Sequence, residues 1–326
     1  MKGFISYLSR NQFIAALFLI VLGWFLIRIK EILIVLFISY ILMTSLQPAV
    51  IFLKKKNISH ALSATITYLL LLAFILLLVL PILPFFVSQI QSLAVNFPKL
   101  LHNASKTIGI GIDYSVINDS ISSFLGVLGK NIIFITGKVF GGFLSVLTVL
   151  VVSFYLLLYH DRFEKLIVNL FPKEEREKTQ EVFERIELKL GHWVRGQLVL
   201  SLFIGVITWV FLTLVGIKFA LPLAFLAGLL EIIPTIGPII SSIPAIIVAL
   251  TVSPALAIAV AAGYIVIQAI ENNILVPKVM QAAVGLNPVV IIAAILIGGN
   301  LLGILGALLS IPFLTVLTII FRALQE

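Results

Sequence analysis

Long apolar runs limit this 326-residue chain to one fold class more strongly than any motif does. Hydrophobic residues make up 61% of the chain and charged residues 11%, whereas a soluble protein carries about 25% charged residues. That composition excludes a soluble enzyme, a nucleic-acid-binding domain and a disordered scaffold. A membrane-spanning helix needs about 20 apolar residues, and candidate spans lie at 12–27, 31–53, 61–87, 139–159 and 197–217, before an apolar region at 219–321. We therefore expect an all-α, polytopic helical membrane protein with about eight transmembrane helices, some of them broken or re-entrant in the C-terminal third.

Basic residues predict the orientation in the membrane. Lys2 and Arg10 precede the first apolar run, and no small-residue cleavage site follows it, which favours an uncleaved helix. Three lysines at 54–56 follow the second run, and the charged stretch 160–196 follows the fourth. Because Lys and Arg are enriched in cytoplasmic loops, we place all three regions, including the N-terminus, in the cytoplasm. The net charge of +8 then indicates contact with lipid head groups rather than with nucleic acid.

The same patterns divide the chain into five parts. They are N-terminal transmembrane helices at 1–87, an extracytoplasmic insert at 88–138, a transmembrane helix at 139–160, a cytoplasmic amphipathic helix at 161–196 and a C-terminal transmembrane region at 197–326.

The stretch 161–196 carries eight acidic and eight basic residues. Its apolar residues recur at helical spacing as Val182, Phe183, Ile186, Leu190 and Trp193. This spacing predicts a narrow apolar stripe on a charged helix. The helix either packs against the bundle or a neighbouring subunit, or serves as a docking surface for a partner.

Residues for catalysis and metal binding are scarce. The chain contains no cysteine, and its four histidines do not pair at ligand spacing. Nucleophile, zinc and nucleotide motifs are missing as well. We therefore expect neither an enzyme nor a bound metal or cofactor.

Two glutamates, Glu231 and Glu271, lie inside the C-terminal apolar region. A charge at the bilayer centre costs at least about 2.5 kcal/mol, so such a group needs a partner, a wet cavity or a proton. Asn272 and Asn273 follow Glu271, and these three side chains spread over about 200° of a helical wheel, so at least one must face away from lipid. The alternative is that each glutamate reaches the interface from a helix end.

Helix-breaking residues surround these glutamates. Pro234, Gly237, Pro238 and Pro244 follow Glu231, while Pro277 and Pro288 follow Glu271. An interior proline removes a backbone hydrogen bond, and the freed carbonyl must then be buried in protein or line a cavity. Broken helices of this kind form the central sites of many transporters. The alternative is that they are turns between short spans.

Glycines mark a third irregular segment. Gly298, Gly299 and Asn300 interrupt a long apolar run, and Gly299 and Gly303 are predicted to share a helix face that permits close helix packing.

Two blocks of sequence resemble the AI-2E (autoinducer-2 exporter, or PerM) family of transporters. The first runs from Glu231 through Pro234, Gly237 and Pro238 to Pro244-Ala245. The second is QAIENNILVP at 268–277, which continues through Asn287-Pro288 to Gly298-Gly299, Gly303, Gly306 and Pro312.

The resemblance implies a multi-pass protein of the bacterial or archaeal inner membrane. It also implies a homo-oligomer, with a pentamer as the expected form, and secondary transport by an elevator-like movement of the C-terminal region. Activities in the family include export of autoinducer-2 and cation/proton antiport.

The leading hypothesis is therefore a secondary transporter of a small polar solute. Glu231 and Glu271 would couple transport to protons or cations, while Asn272, Asn273, Thr235 and Asn300 would hydrogen-bond the solute. The alternatives are an Na⁺(Li⁺)/H⁺ antiporter, a passive oligomeric channel and a regulatory membrane protein.

Overall fold

The computed structural model describes residues 12–77, 132–233, 236–250, 252–280 and 287–325. These residues are almost entirely helical and contain no strand, which confirms the all-α prediction. The predicted insert at 88–138 lies outside the described residues except for its last part, where a helix begins.

The helices follow one another in this order: α1 Gln12–Arg28, α2 Lys30–Lys54, α3 His60–Leu77, α4 Ile132–Leu158, α5 His160–Val168, α6 Arg176–Leu214, α7 Ala220–Leu230, α8 Ile236–Leu250, α9 Pro254–Ile270, α10 Val276–Met280 and α11 Pro288–Gln325. In the described part, five helices are long and apolar enough to cross a membrane, or six if the bent pair of α4 and α5 counts as one span. The number eight stays a prediction.

The N-terminal bundle consists of α2, α3 and α4. Its core includes Met43, Ala64 and Leu150, all buried. Ser39 donates a hydrogen bond to the carbonyl of Val149 at 3.2 Å, and the hydroxyls of Tyr68 and Ser153 bond to each other. These bonds join the three helices through polar groups that have no access to water in the bundle.

The charged stretch 161–196, predicted as one helix, forms parts of two helices. The chain bends by 74° between α4 and α5, and α5 ends before a turn that contains Pro172. Helix α6 then continues for 39 residues, through the charged stretch and into the apolar run, without a break. Pro172 explains the interruption because a proline cannot donate the backbone bond that would extend α5.

The predicted apolar stripe faces the protein interior. Ile186, Leu190 and Trp193 are buried, and the first two pack against Ile41 of α2 and Leu309 of α11. Packing within the chain therefore accounts for the amphipathic pattern of this segment.

Helix α11 is a hairpin, with its turn at Gly303. This glycine has φ 63° and ψ −145°, a conformation that side chains other than glycine rarely adopt. The Ser310 hydroxyl lies 2.8 Å from the carbonyl oxygen of Ala294, although a straight helix would separate these residues by about 24 Å. Residues 288–302 and 304–325 therefore form two antiparallel arms. The expectation that Gly299 and Gly303 share one helix face is wrong, because Gly303 forms the turn.

Candidate functional site: a buried acidic pair

The chain leaves helical geometry between α7 and α8, and Glu231 lies at the start of this break. Its backbone N–H still bonds to the carbonyl of Ala227 at 3.0 Å, so it completes the last turn of α7. Gly237 starts the next helix against the end of α7, where a Cβ atom would overlap the carbonyl of Leu230. Pro238 lies in the first turn of α8, where its missing N–H costs little. Pro234 and Thr235 lie outside the described residues.

Glu271 lies at a second irregularity, a π turn at Glu271–Leu275 between α9 and α10. Pro277 is the second residue of α10. A proline ring clashes with the carbonyl four residues earlier in an α-helix, and a wider turn before it relieves that clash. The sequence thus explains why the helix changes its geometry just after Glu271.

The two irregularities bring the glutamates together. Glu231 is 1% exposed and Glu271 is 2% exposed, and their carboxyl groups are close enough to interact electrostatically. Gln268 donates a hydrogen bond to Glu271 at 3.1 Å, whereas the carboxyl group of Glu231 has no partner among the described residues other than the facing carboxyl group of Glu271. Both carboxyl groups lie inside the protein, not at exposed helix ends.

Helix α6 contributes two polar side chains that the sequence did not single out. The Gln197 amide donates to the backbone carbonyl of Glu231 at 2.6 Å, and its oxygen is buried without a partner, as is the hydroxyl of Ser201. These residues are four apart, so they share a face of α6. The sequence did contain a signal for them: two polar residues, spaced four apart, at the start of an apolar run.

No basic residue balances the pair within the described ranges. The ion pairs found there involve His160 with Asp161 and Glu187, and Arg185 with Glu181. Nor does any group of three His, Asp or Glu side chains in these ranges converge as a metal site would require. The site therefore combines two buried carboxyl groups with unpartnered oxygen atoms, and such a site favours a proton or a small cation.

The other predicted site residues lie apart from this pair. Asn272 and Asn273 are exposed, and Asn273 donates to the carbonyl of Ala269 at 2.8 Å. Asn300 is exposed near the turn of the α11 hairpin.

The predicted helix breaks at Pro244 and Pro288 have different outcomes. Pro244 lies within the uninterrupted helix α8, so it does not break that helix. Pro288 is the first residue of α11, a position where proline is favoured.

Apolar helices that cross a membrane, with a buried polar centre at two helix irregularities, define a multi-pass helical membrane protein of the kind that carries solutes. Residues 13–326 match the model of a family described as AI-2E family transporter. The chain belongs to this family, and it is a membrane transporter rather than an enzyme.

Individual relatives of the chain are also named as transport proteins. The chain is 32% identical over 318 residues to "Putative transport protein YueF" of Bacillus subtilis (strain 168), which covers 91% of this chain and 85% of the relative. It is 29% identical over 308 residues to "Putative transport protein YrrI" of the same organism, covering 90% of this chain and 87% of that protein. A shorter match, 30% identical over 185 residues, covers 56% of this chain and 51% of the AI-2 transport protein TqsA of Escherichia coli (strain K12).

Proposed function

We propose that the protein is a secondary transporter of a small polar solute, and that the pair of Glu231 and Glu271 couples its transport to a proton or a monovalent cation. The supporting observation is that two buried carboxyl groups meet without a basic partner in the described residues. Two negative charges about 4 Å apart repel by about 4 kcal/mol at an effective dielectric constant of 20. A bound proton or cation removes this repulsion.

The position of the pair supports coupling to movement. Each glutamate lies at the end of a helix whose geometry changes at that residue, α7 for Glu231 and α9 for Glu271. A change in charge at the pair therefore alters the force between two helix ends. Binding of a proton or cation would favour one arrangement of these ends over the other, as coupled transport requires.

The solute is proposed to resemble autoinducer-2, because one relative is named an AI-2 transport protein. The unpartnered oxygens of Gln197 and Ser201 would accept hydrogen bonds from its hydroxyl groups. An Na⁺(Li⁺)/H⁺ antiporter is the second candidate, since the same oxygens also suit a monovalent cation. We further propose a cytoplasmic-membrane location, a cytoplasmic N-terminus and a homopentamer.

Flux into proteoliposomes tests the coupling. Uptake of autoinducer-2, Na⁺ or Li⁺ is measured with and without an imposed pH gradient, for the unmodified protein and for Glu231→Gln and Glu271→Gln. We expect both variants to lose the stimulation by the gradient while they keep downhill flux. Glu174→Gln, the same change at an exposed residue, is the matched control and should keep it. Unchanged stimulation in both pair variants would refute the coupling role.

A further inference from the structure

A cavity distant in sequence from the acidic pair lies where α2 ends, α3 begins and α4 turns into α5. Its volume is about 250 Å³. One part of its wall is apolar and includes Val50, Ile51 and Leu157. The other part is polar and consists of Gln47, Lys54, His60, His160 and Asp161. The cavity is therefore amphipathic, with its polar part at the ends of apolar helices.

The polar part of the cavity contains one lysine, Lys54, that no carboxylate pairs with in the described residues. His160 is hydrogen-bonded to Glu187 at 2.7 Å, and this bond raises the pKa of His160 to about 9, so the ring is protonated at neutral pH. Two carboxylates face this histidine: Glu187 at 2.7 Å balances its charge, and Asp161, which is 90% exposed, lies at 3.4 Å. Helices α3 and α5 begin at this wall while α2 and α4 end beside it, so the partial charges of the helix ends oppose each other and Lys54 is the charge that a ligand meets.

The surface next to the cavity is apolar. Ile51 is 46% exposed and Phe52 is 58% exposed, and both lie on the last turns of α2, beside Lys54. In a membrane protein such side chains contact acyl chains, so a molecule that enters the cavity from the membrane passes directly from apolar surroundings to Lys54 and the polar wall. Basic pockets between membrane helices on the cytoplasmic side are suited to anionic head groups.

We propose that this cavity binds the phosphate group of an anionic phospholipid. Lys54 supplies the main charge, the Gln47 amide donates a hydrogen bond, and one acyl chain lies along Ile51 and Phe52. A free phosphate ion would meet the same polar groups, but it would leave the apolar half of the cavity empty. The apolar wall therefore favours the lipid as the source of the phosphate.

Binding to the purified full chain in detergent tests the proposal, with lipid retention measured by native mass spectrometry. The probes are phosphatidylglycerol, phosphatidylcholine and inorganic phosphate. We expect phosphatidylglycerol to bind most tightly, and Lys54→Glu to weaken it about tenfold, since it reverses the charge at the site. Lys55→Glu makes the same change one residue away, outside the cavity wall, and should alter binding less than twofold.

A second variant separates the polar contact from net charge. Gln47→Leu keeps the charge of the chain and removes the proposed donor, so we expect affinity for phosphatidylglycerol to fall about threefold, the loss of one hydrogen bond of modest strength. Equal losses in Lys54→Glu and Lys55→Glu would show a general surface effect and overturn the proposal. Equal binding of phosphatidylcholine, or equal affinity for inorganic phosphate, would overturn it as well.

Discussion

Replacing Gly298 with alanine should open the α11 hairpin. A Cβ atom on Gly298 would overlap the carbonyl of Gly306 and the hydroxyl of Ser310, both on the opposite arm. The neighbouring Gly299 offers a matched control, because its Cβ would meet only Ala307 at 3.8 Å, an ordinary contact. The two substitutions are chemically identical and one residue apart, so they differ only in what the added methyl group meets.

The expected magnitudes follow from these contacts. Overpacking costs about 1–3 kcal/mol, and the upper end applies to Gly298 because a backbone carbonyl cannot rotate away. Replacing glycine by alanine within a helix raises the free energy of unfolding by about 1 kcal/mol. Gly298→Ala should therefore lose about 2 kcal/mol of unfolding free energy, whereas Gly299→Ala should gain up to about 1 kcal/mol.

Thermal unfolding of the purified protein in detergent measures the difference. At about 2 °C per kcal/mol for a chain of this size, the two variants should differ in Tm by about 6 °C, with Gly298→Ala the lower. Equal Tm values would show that the two arms do not pack at Gly298, and the hairpin geometry would then be incorrect.

Three further outcomes are expected. The chain has no cysteine, so the double variant Ala294→Cys/Ser310→Cys carries two thiols only. A short thiol cross-linker should join them within one molecule in high yield, because the two positions face each other in the hairpin. A continuous helix would separate them by about 24 Å and give no such product. Between pH 6.5 and 9.5 the Tm should fall. The bond to Glu187 raises the pKa of His160 to about 9 in the folded protein, and the stabilisation that this gives, at most about 3 kcal/mol, is lost as the pH rises through that value. His160→Gln should reduce the fall in Tm, and an equal fall would show that His160 is not the group that titrates. Tyr40→Phe removes a 3.2 Å hydrogen bond to Glu187, so it should cost about 1 kcal/mol while the pH dependence persists.

Hydropathy predicted the helical fold because it records the exclusion of charge from lipid, a constraint that acts along the whole length of each span. The same signal could not divide residues 288–325. Apart from Asn300, the residues near the turn are apolar or small, and the reversal at Gly303 depends on the close approach of Gly298 to Gly306 across the hairpin. A continuous span and a hairpin have the same composition, so only contact between the arms distinguishes them.

The acidic pair was accessible to sequence reasoning for a related reason. A carboxyl group in an apolar run costs several kcal/mol unless its surroundings compensate for it, so Glu231 and Glu271 were unusual before any contact was known. Gln197 and Ser201 are neutral, cost less to bury and follow a charged segment in the sequence. Gln197 is tied to the site by its hydrogen bond to the backbone of Glu231, a contact that no linear pattern contains.

Proline had two different consequences that the sequence alone could not separate. Pro277 follows a π turn at Glu271–Leu275, in which Glu271 is buried while Asn272 and Asn273 face outward. Pro244 lies in a helix that continues unbroken. Constant helical spacing already spreads these three side chains over about 200°, so it allows one of them to be buried while the other two face outward, but it does not say which one. The structure buries the Glu271 carboxyl and exposes both amides, so a test of coupling belongs at Glu231 and Glu271, and a test of outward contacts belongs at Asn272 and Asn273.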